Sequence, residues 1–533
     1  MIEKVRIRGY RTHKDFIFRP NPKLNLIAGP NESGKSTLIE AIALALTGRV
    51  SGRSASEELN PYWFNIDNVN SFVASRRRGE NVAWPEIHIE VFLQNKSELQ
   101  TLCGAINSDN PVNSCPGVAF SVIPNPEYAD ELQAISQECL SPLPVEFFKT
   151  EWRTFADTPL TSRPRQLSTA IIDSRTVRSA SGVDYHMRYI LSDGLDPSDR
   201  AAISVAYRQI KADMTNTTLR PVNERMAGLN ATLHDQDITL AMDQSSRTSW
   251  EGAVTPHVNQ IPFGLSGQGQ QAAIKISLAM SRSSQKAGIV MIEEPENHMT
   301  HSSLVKVISR IESLANDDQQ LFIATHSSFV VNRLGVDCIH LLGSEVAKKL
   351  SDLRPETVAY FQKLPGYDTL RMALAQKVVL VEGPSDEILF ERVYKDLYNV
   401  RPIENGIDVL SMRGLSFARC FELCSELGQM VAALRDNDGK EPADLRSPLQ
   451  DWLEDGIREI FIGDNSKGNT LEPQLINHNS EDILRRVLAV TSQADILTWM
   501  RREKTEAALR IAKSTECITP PSYMTNAAVF IHG

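Results

Sequence analysis

Two groups of residues have the types and spacing to do chemistry. The first is Gly29-Pro30-Asn31-Glu32-Ser33-Gly34-Lys35-Ser36, which fits G-x-x-x-x-G-K-[ST] in full. Its glycines let backbone N–H groups close around phosphates, and the helix that follows adds a favourable dipole. Lys35 would reach the β- and γ-phosphates and Ser36 would ligate Mg²⁺, with Asn31, Gly34 and Thr37 completing the cradle of an ATP. The second group is Glu382, Asp386, Asp436 and Asp438. Packed without metal, such carboxylates repel one another and take up protons; with Mg²⁺ or Mn²⁺ they become hard oxygen ligands.

These residues need elements to hold them. LNLIAG reads as an apolar strand running into the glycine-rich loop, and STLIEAIALAL as the helix after it. Downstream, GIVMIEEPENH is an apolar strand ending in two acids. Glu293 would join the Mg²⁺ shell and Glu294 would orient or deprotonate the attacking water. Between them, Leu265-Ser266-Gly267-Gln268-Gly269-Gln270 opens another helix, and IATHSS puts His326 at a strand end. In the C-terminal part, VVLVEG ends at Glu382, and GPSD carries Asp386 at a helix start. MVAALRDND then ends in Asp436-Asn437-Asp438. On an extended strand, residues two apart face the same way, so both aspartates are expected on one metal site. Strands alternating with helices predict an α/β protein with mainly parallel sheets in both modules.

The chain order of loop, LSGQGQ, acidic pair and histidine resembles the ABC-type ATPases. That likeness implies that Ser266 and Gly267 touch the γ-phosphate held by another subunit and that His326 is a switch histidine. The long separation of loop and signature resembles the Rad50/SMC branch, but the insert here lacks sustained heptads. A Glu on one strand end and D-x-D on a later one resembles the Rossmann-like Toprim domain. With GPSD, NTLEPQL, the opening IRGYR, LNPYWFN at 59–65 and IEEPENH, nearly the whole chain resembles the OLD (overcoming lysogenisation defect) nucleases and the related Gabija nuclease subunit. The resemblance implies two metals on Glu382, Asp386, Asp436, Asp438 and Glu472, a DNA phosphodiester as substrate, and defence against phage. It also implies a basic residue on the scissile phosphate, best matched by Lys504. Asp464, Glu481 and Asp482 remain competing acids. A homodimer or tetramer is expected, and a helicase or other defence-system partner by analogy.

The expected layout is ATPase lobe I at 1–175, a helical dimerisation insert at 176–255, lobe II at 256–345, a charged connector at 346–374 and the Toprim domain at 375–533. PSDRAAISVAYRQIKADM is the best helical segment of the insert. The alternative function is an ATP-driven DNA clamp or sensor with a non-catalytic Toprim platform. A primase- or topoisomerase-like enzyme is disfavoured, with no zinc module or catalytic tyrosine region in view.

The 533-residue chain has a formal net charge of −10, so any DNA groove must be a local patch. Arg76-Arg77-Arg78, Arg485-Arg486 and Arg501-Arg502 are candidates, against the plainer reading of solvated faces. The seven Cys form no zinc spacing, and Cys420 and Cys424 read as buried spacers. No apolar run is long enough for a membrane span, and the charged, strand-like start is not a signal peptide. A cytoplasmic protein with reduced thiols is expected.

Overall fold

A computed structural model describes residues 1–29, 32–50, 53–109, 113–135, 142–164, 166–173, 195–230, 239–245, 250–254, 257–283, 288–314, 319–335, 338–342, 347–363, 371–372, 375–412, 416–491 and 493–533. Asn31 lies outside them. The fold is mixed α/β. Two compact units interleave along the chain. One comprises Met1–Asn25 and Ser36–Thr325, the other Leu26–Lys35 and His326–Gly533.

In the first unit, the opening strands form an antiparallel sheet. His13–Phe18 pairs Ile2–Tyr10, which pairs Ile87–Leu93, which pairs Cys115–Pro124, with Phe148–Thr154 beyond. This corrects the expectation of mainly parallel sheets for the N-terminal module. The first two strands are joined by a tight turn in which Arg11 has φ 47°, too short for the crossover a parallel pair needs. Parallel pairing does hold for Ser168–Asp173, Gly288–Glu293 and Gln319–Ala324. The last two are apolar and buried along their length, as strands covered on both faces must be. The buried Gln320 amide ties the two sheets, accepting from Ile2 N at 2.7 Å and donating to Ile2 O at 2.9 Å. The described part of the insert is helical, at Pro197–Asn216, Arg220–Asn230 and Trp250–Ala253.

IRGYR and LNPYWFN pack together. Tyr10 is fully buried, meets Trp63 edge-on at 5.9 Å and hydrogen-bonds Glu40 on the helix Lys35–Thr47. Arg11 pairs with the same Glu40 at 2.7 Å. Asn65 caps the next helix and returns its amide to Arg11 O at 2.7 Å.

In the second unit, Leu26–Ala28 runs parallel to Ile339–Leu341, whose strand pairs antiparallel with Ala347–Lys349. The larger part is a four-stranded parallel sheet. Its spatial order is Ile407–Ser411, Lys377–Val381, Met430–Arg435, Arg458–Ile462. The chain leaves its first strand to one side and returns on the other. The switch point of the sheet therefore lies between Lys377–Val381 and Met430–Arg435, where open α/β sheets place their sites.

The segment expected as a charged connector is docked rather than loose. Leu350, Leu353 and Phe361 are buried. Arg354 and Thr357 both bond Glu422, which is 4% exposed on the helix Phe417–Leu427. Glu422 accepts from Arg354 N at 2.8 Å, Arg354 Nε at 2.9 Å and Thr357 Oγ1 at 2.6 Å. The Arg354 guanidinium also lies 4.6 Å over the Trp452 ring. Cys420 and Cys424 are fully buried on the same helix, and burial pushes both thiols up, Cys420 to about 12. Removing Glu422 would leave three donors without their acceptor, of which the Thr357 hydroxyl is fully buried. Glu422→Ala is expected to lower stability by about 1–2 kcal/mol and to expose the 350–363 segment to limited proteolysis. Urea denaturation and a trypsin time course check both.

Candidate functional site

The phosphate-binding loop begins where its strand ends, at Ala28. Lys35 is 5% exposed and donates from Nζ to Gly29 O at 2.9 Å, inside the loop it closes. Gly34 has φ 89°, a conformation that favours glycine. A Cβ on Gly29 would stand 2.5 Å from Ser33 Oγ. Ser36 and Thr37 follow in the first turn of the helix.

In the first unit, Glu293 ends its strand almost fully buried, beside Ala324 in register. Glu294 turns away with φ 45°, its N–H donating to Ala324 O at 2.8 Å and its carboxylate accepting from Asn297 Nδ2 at 2.8 Å. The two acids are thus held in different backbone conformations, one in the sheet and one past its edge. The loop after them supports the signature helix Gln268–Ser283, since a Cβ on Gly269 would sit 2.6 Å from His298 O. Ser266 Oγ donates to Phe263 O at 2.7 Å, and Gln271 Nε2 to Ser266 O at 2.7 Å. Gly267 faces open space. In the second unit, His326 precedes the Ser327 cap of the helix Ser328–Leu334.

The C-terminal acids come together at the switch point. Glu382 follows Val381 and accepts from Asp436 N at 3.3 Å, with Arg435 Nε at 3.8 Å. Asp386 caps its own helix by accepting from Gly383 N at 3.1 Å. Glu472 is buried in the first turn of Leu471–His478, accepts from Thr470 Oγ1 at 2.8 Å and meets Lys504 Nζ at 3.3 Å. Lys504 opens the helix Lys504–Lys513 with most of its length exposed.

Burial and mutual repulsion mark this cluster. Burial raises Glu382 to about 7, helped by the charges of Asp386 and Asp438. Burial raises Asp386 to about 6, against the pull of two backbone N–H groups, with Glu472 adding to the rise. Burial raises Asp436 to about 8, followed by Asp386, Glu382 and Glu472. Asp436 Oδ1 is buried without a hydrogen-bond partner. An all-oxygen donor set with an unpaired buried carboxylate oxygen suits a hard divalent cation such as Mg²⁺ or Mn²⁺. As the side chains stand, no group of three or more His, Cys, Asp or Glu among the described residues is placed to hold a metal ion.

Asp438 is not placed as expected. The strand ends at Arg435, and Asp438 takes φ 48° with its N–H on Asn469 O at 3.1 Å. The extended-strand argument for a shared face therefore fails. Asp438 is exposed and approaches the cluster from the turn, through the Glu382 charge. The intervening Asn437 is fully buried and was given no role by sequence. Its amide donates to Gly463 O at 3.1 Å and Gly468 O at 2.8 Å, pinning one strand-end loop to the next. An asparagine between two acids signals a turn, and that was the available clue.

Two of the competing acids, Asp464 and Glu481, have other partners. Asp464 caps the turn 465–467 through Ser466, which holds its carboxyl below the ordinary range. Glu481 pairs with Arg485 one helical turn on, at 2.5 Å. The candidate basic patches are also engaged: Arg76 lies over Phe72 and Trp84, Arg78 pairs with Glu80, Arg486 with Glu516 and Arg502 with Glu503.

Sequence profiles of known families match three stretches. Residues 4–107 match an AAA domain, residues 201–331 an AAA ATPase domain, and residues 374–438 the overcoming lysogenization defect protein-like Toprim domain. The chain therefore joins AAA-type ATPase domain stretches to an OLD-like Toprim domain. The DNA replication and repair protein RecF of Magnetococcus marinus is 40% identical over 68 residues, and that of Desulforamulus reducens 43% over 47. These cover 12% and 9% of this chain but only 18% and 13% of the relatives' lengths. Among solved structures, an SMC head bound to the C-terminal winged-helix domain of ScpA is 12% identical with TM-score 0.35, covering 66% of this chain and 99% of that one. The C-terminal region of the Xanthomonas campestris pv. campestris OLD protein is 20% identical with TM-score 0.25, covering 30% and 94%. That of Burkholderia pseudomallei OLD is 20% identical with TM-score 0.24, covering 30% and 97%.

The raised carboxylates set a pH dependence. Between the ordinary carboxylate range near 4 and about 8, the folded protein holds protons that the unfolded chain has released. The stability this contributes is full below that range and is lost as pH rises through the folded values. In EDTA the melting temperature is therefore expected to fall from pH 5 to pH 9 (about one unit either side of the raised values), less steeply in Asp436→Asn. Thermal melts of both proteins across that range check the sign.

Proposed function

We propose that the chain is a divalent-metal-dependent DNA endonuclease whose cleavage is regulated by ATP binding or hydrolysis. The observation that carries the reading is the raised, mutually repelling set of Glu382, Asp386 and Asp436 around an unpartnered buried carboxylate oxygen. Such perturbed groups at a sheet switch point belong to sites rather than to cores. Glu382, Asp386, Asp436, Asp438 and Glu472 would hold Mg²⁺ or Mn²⁺, two ions in all. Bound there, the ions supply a nucleophilic water at neutral pH and neutralise charge on the phosphodiester. Lys504, held near the cluster through Glu472, brings its ammonium to the scissile phosphate. Arg435 steadies the Glu382 carboxylate.

In the ATPase, Lys35 and the loop residues Asn31, Gly34, Ser36 and Thr37 bind the phosphates, with Ser36 and Glu293 on Mg²⁺. Glu294 orients the attacking water, and Ser266, Gly267 and His326 complete the site. We keep lobes 1–175 and 256–345, insert 176–255, connector 346–374 and Toprim domain 375–533 as the proposed layout. A cytoplasmic homodimer or tetramer acting in anti-phage defence, with a helicase or other defence-system partner, fits this reading. Among the described residues, no helix is long and apolar enough to cross a membrane.

Plasmid cleavage in Mg²⁺ or Mn²⁺ tests the reading. Glu382→Ala and Asp436→Ala are expected to lose more than about a hundredfold in rate. ATP should change the wild-type rate and leave that of Lys35→Ala unchanged. Undiminished cleavage by Asp436→Ala would remove the active-site assignment. Absence of divalent binding at the C-terminal module would favour the ATP-driven clamp or sensor instead.

A further inference from the structure

Tyr523, far along the chain, lines a cleft with Ile462, which pairs in register with Arg435 just before Asp436. It sits in the first turn of the last helix, Ser522–His532, which packs on the strands Met430–Arg435 and Arg458–Ile462. The residue is 4% exposed, and its hydroxyl has no hydrogen-bond partner. Buried tyrosine hydroxyls are nearly always bonded, so an orphan of this kind needs an explanation. Its ring packs along a cleft of about 260 Å³ lined also by Arg446, Ile460, Ser522 and Asn526. A phenylalanine would serve that packing equally well, and the hydroxyl is what remains to be explained.

The surroundings of the hydroxyl give the explanation. A phenol O–H is a donor, and the carboxylates of Asp386, Asp436, Glu382 and Glu472 are the charges that act on it. Asp436 Oδ1 is a buried acceptor without a donor. The charged groups around Asp436 are Glu382 and Asp386 from the first strand end and its helix, and Glu472 from Leu471–His478. Lys504, Arg435 and Asp438 stand at the edge of the same cluster through their charge on Asp386 and Glu382. The acids are all acceptors when ionised, and the two cations engage Glu472 and Glu382.

We propose that Tyr523 is a positioning residue whose hydroxyl donates to Asp436 through one water and orients that carboxylate for a divalent cation. This rests on the reading of the carboxylates as a metal site. A hydrogen bond to a charged acceptor strengthens cation binding only indirectly, so the effect should be graded rather than absolute.

Mn²⁺ titration calorimetry on the full chain tests it, with wild type, Tyr523→Phe and Asp436→Asn compared well below their melting temperatures. Tyr523→Phe is expected to bind Mn²⁺ at the Toprim module about tenfold more weakly. Its melting temperature in EDTA is expected to stay close to that of wild type, so that the weaker binding is read on a folded protein. An affinity within about twofold of wild type would reduce Tyr523 to packing and overturn the proposal, whatever the melting temperature does. If Asp436→Asn binds Mn²⁺ as well as wild type, the metal-site reading itself fails and the proposal falls with it.

Discussion

Carboxylates that are forced to face one another inside a protein set the terms for everything around them. Here the constraint comes from the parallel sheet, whose two central strands end side by side and deliver Glu382 and Asp436 to one point. Helices add Asp386 and Glu472. Glu382, Asp386 and Asp436 are each pushed toward the neutral form by burial first, and Glu382 and Asp436 by neighbouring carboxylates second. The local structure keeps the acids in place. Asp386 is fastened by its own helix cap, and the Asp436 loop by Asn437 reaching across to Gly463 and Gly468. Neither fastening adds positive charge. The arrangement holds the acids in position and leaves their repulsion to be met by a cation.

A second structural theme runs through the unit that contains the Toprim sheet. The strand feeding the phosphate loop pairs with Ile339–Leu342, and that strand pairs with Ala347–Lys349. Lys348 donates to Glu426 O, and six residues on Arg354 is clasped by Glu422. Both acceptors lie on the helix Phe417–Leu427, which packs against the strand leading to Asp436. Hydrogen bonds and one buried carboxylate thus join the end of the loop strand to the support of the carboxylate cluster. Such continuity becomes coupling where the elements have two arrangements that nucleotide favours unequally. A clasped connector transmits a displacement that a flexible one would absorb.

What could be read from sequence follows from how local each feature is. The phosphate loop needs only consecutive residues between a strand and a helix, so its pattern was fully legible. Glu382 and Asp436 were legible because an apolar strand followed by an acid marks a sheet edge. Asp438 was misplaced because φ 48° at that residue is a decision of the turn, made with Asn469, and the alternation rule does not extend past a strand's end. Tyr523 and Glu422 carried no local signal. Their roles arise from packing partners far away in the chain. The antiparallel opening sheet was missed because strand and helix alternation is a rule about crossovers, and the turn at Arg11 has none.

The arginine runs carry the same lesson in charge. As a sequence, Arg76-Arg77-Arg78 or Arg485-Arg486 reads as a patch for a polyanion. In the fold Arg76 lies over two aromatic rings and Arg485 is held by Glu481 and by the carbonyls of Thr491 and Ala494. A guanidinium bonded as that of Arg485 has fewer donors left for phosphate and a neighbouring acid that cancels its field at a distance. With a net charge of −10, attraction of nucleic acid cannot come from the chain as a whole. It has to be generated at short range, where cations on the carboxylates would turn the most electronegative point of the Toprim module into its most attractive one.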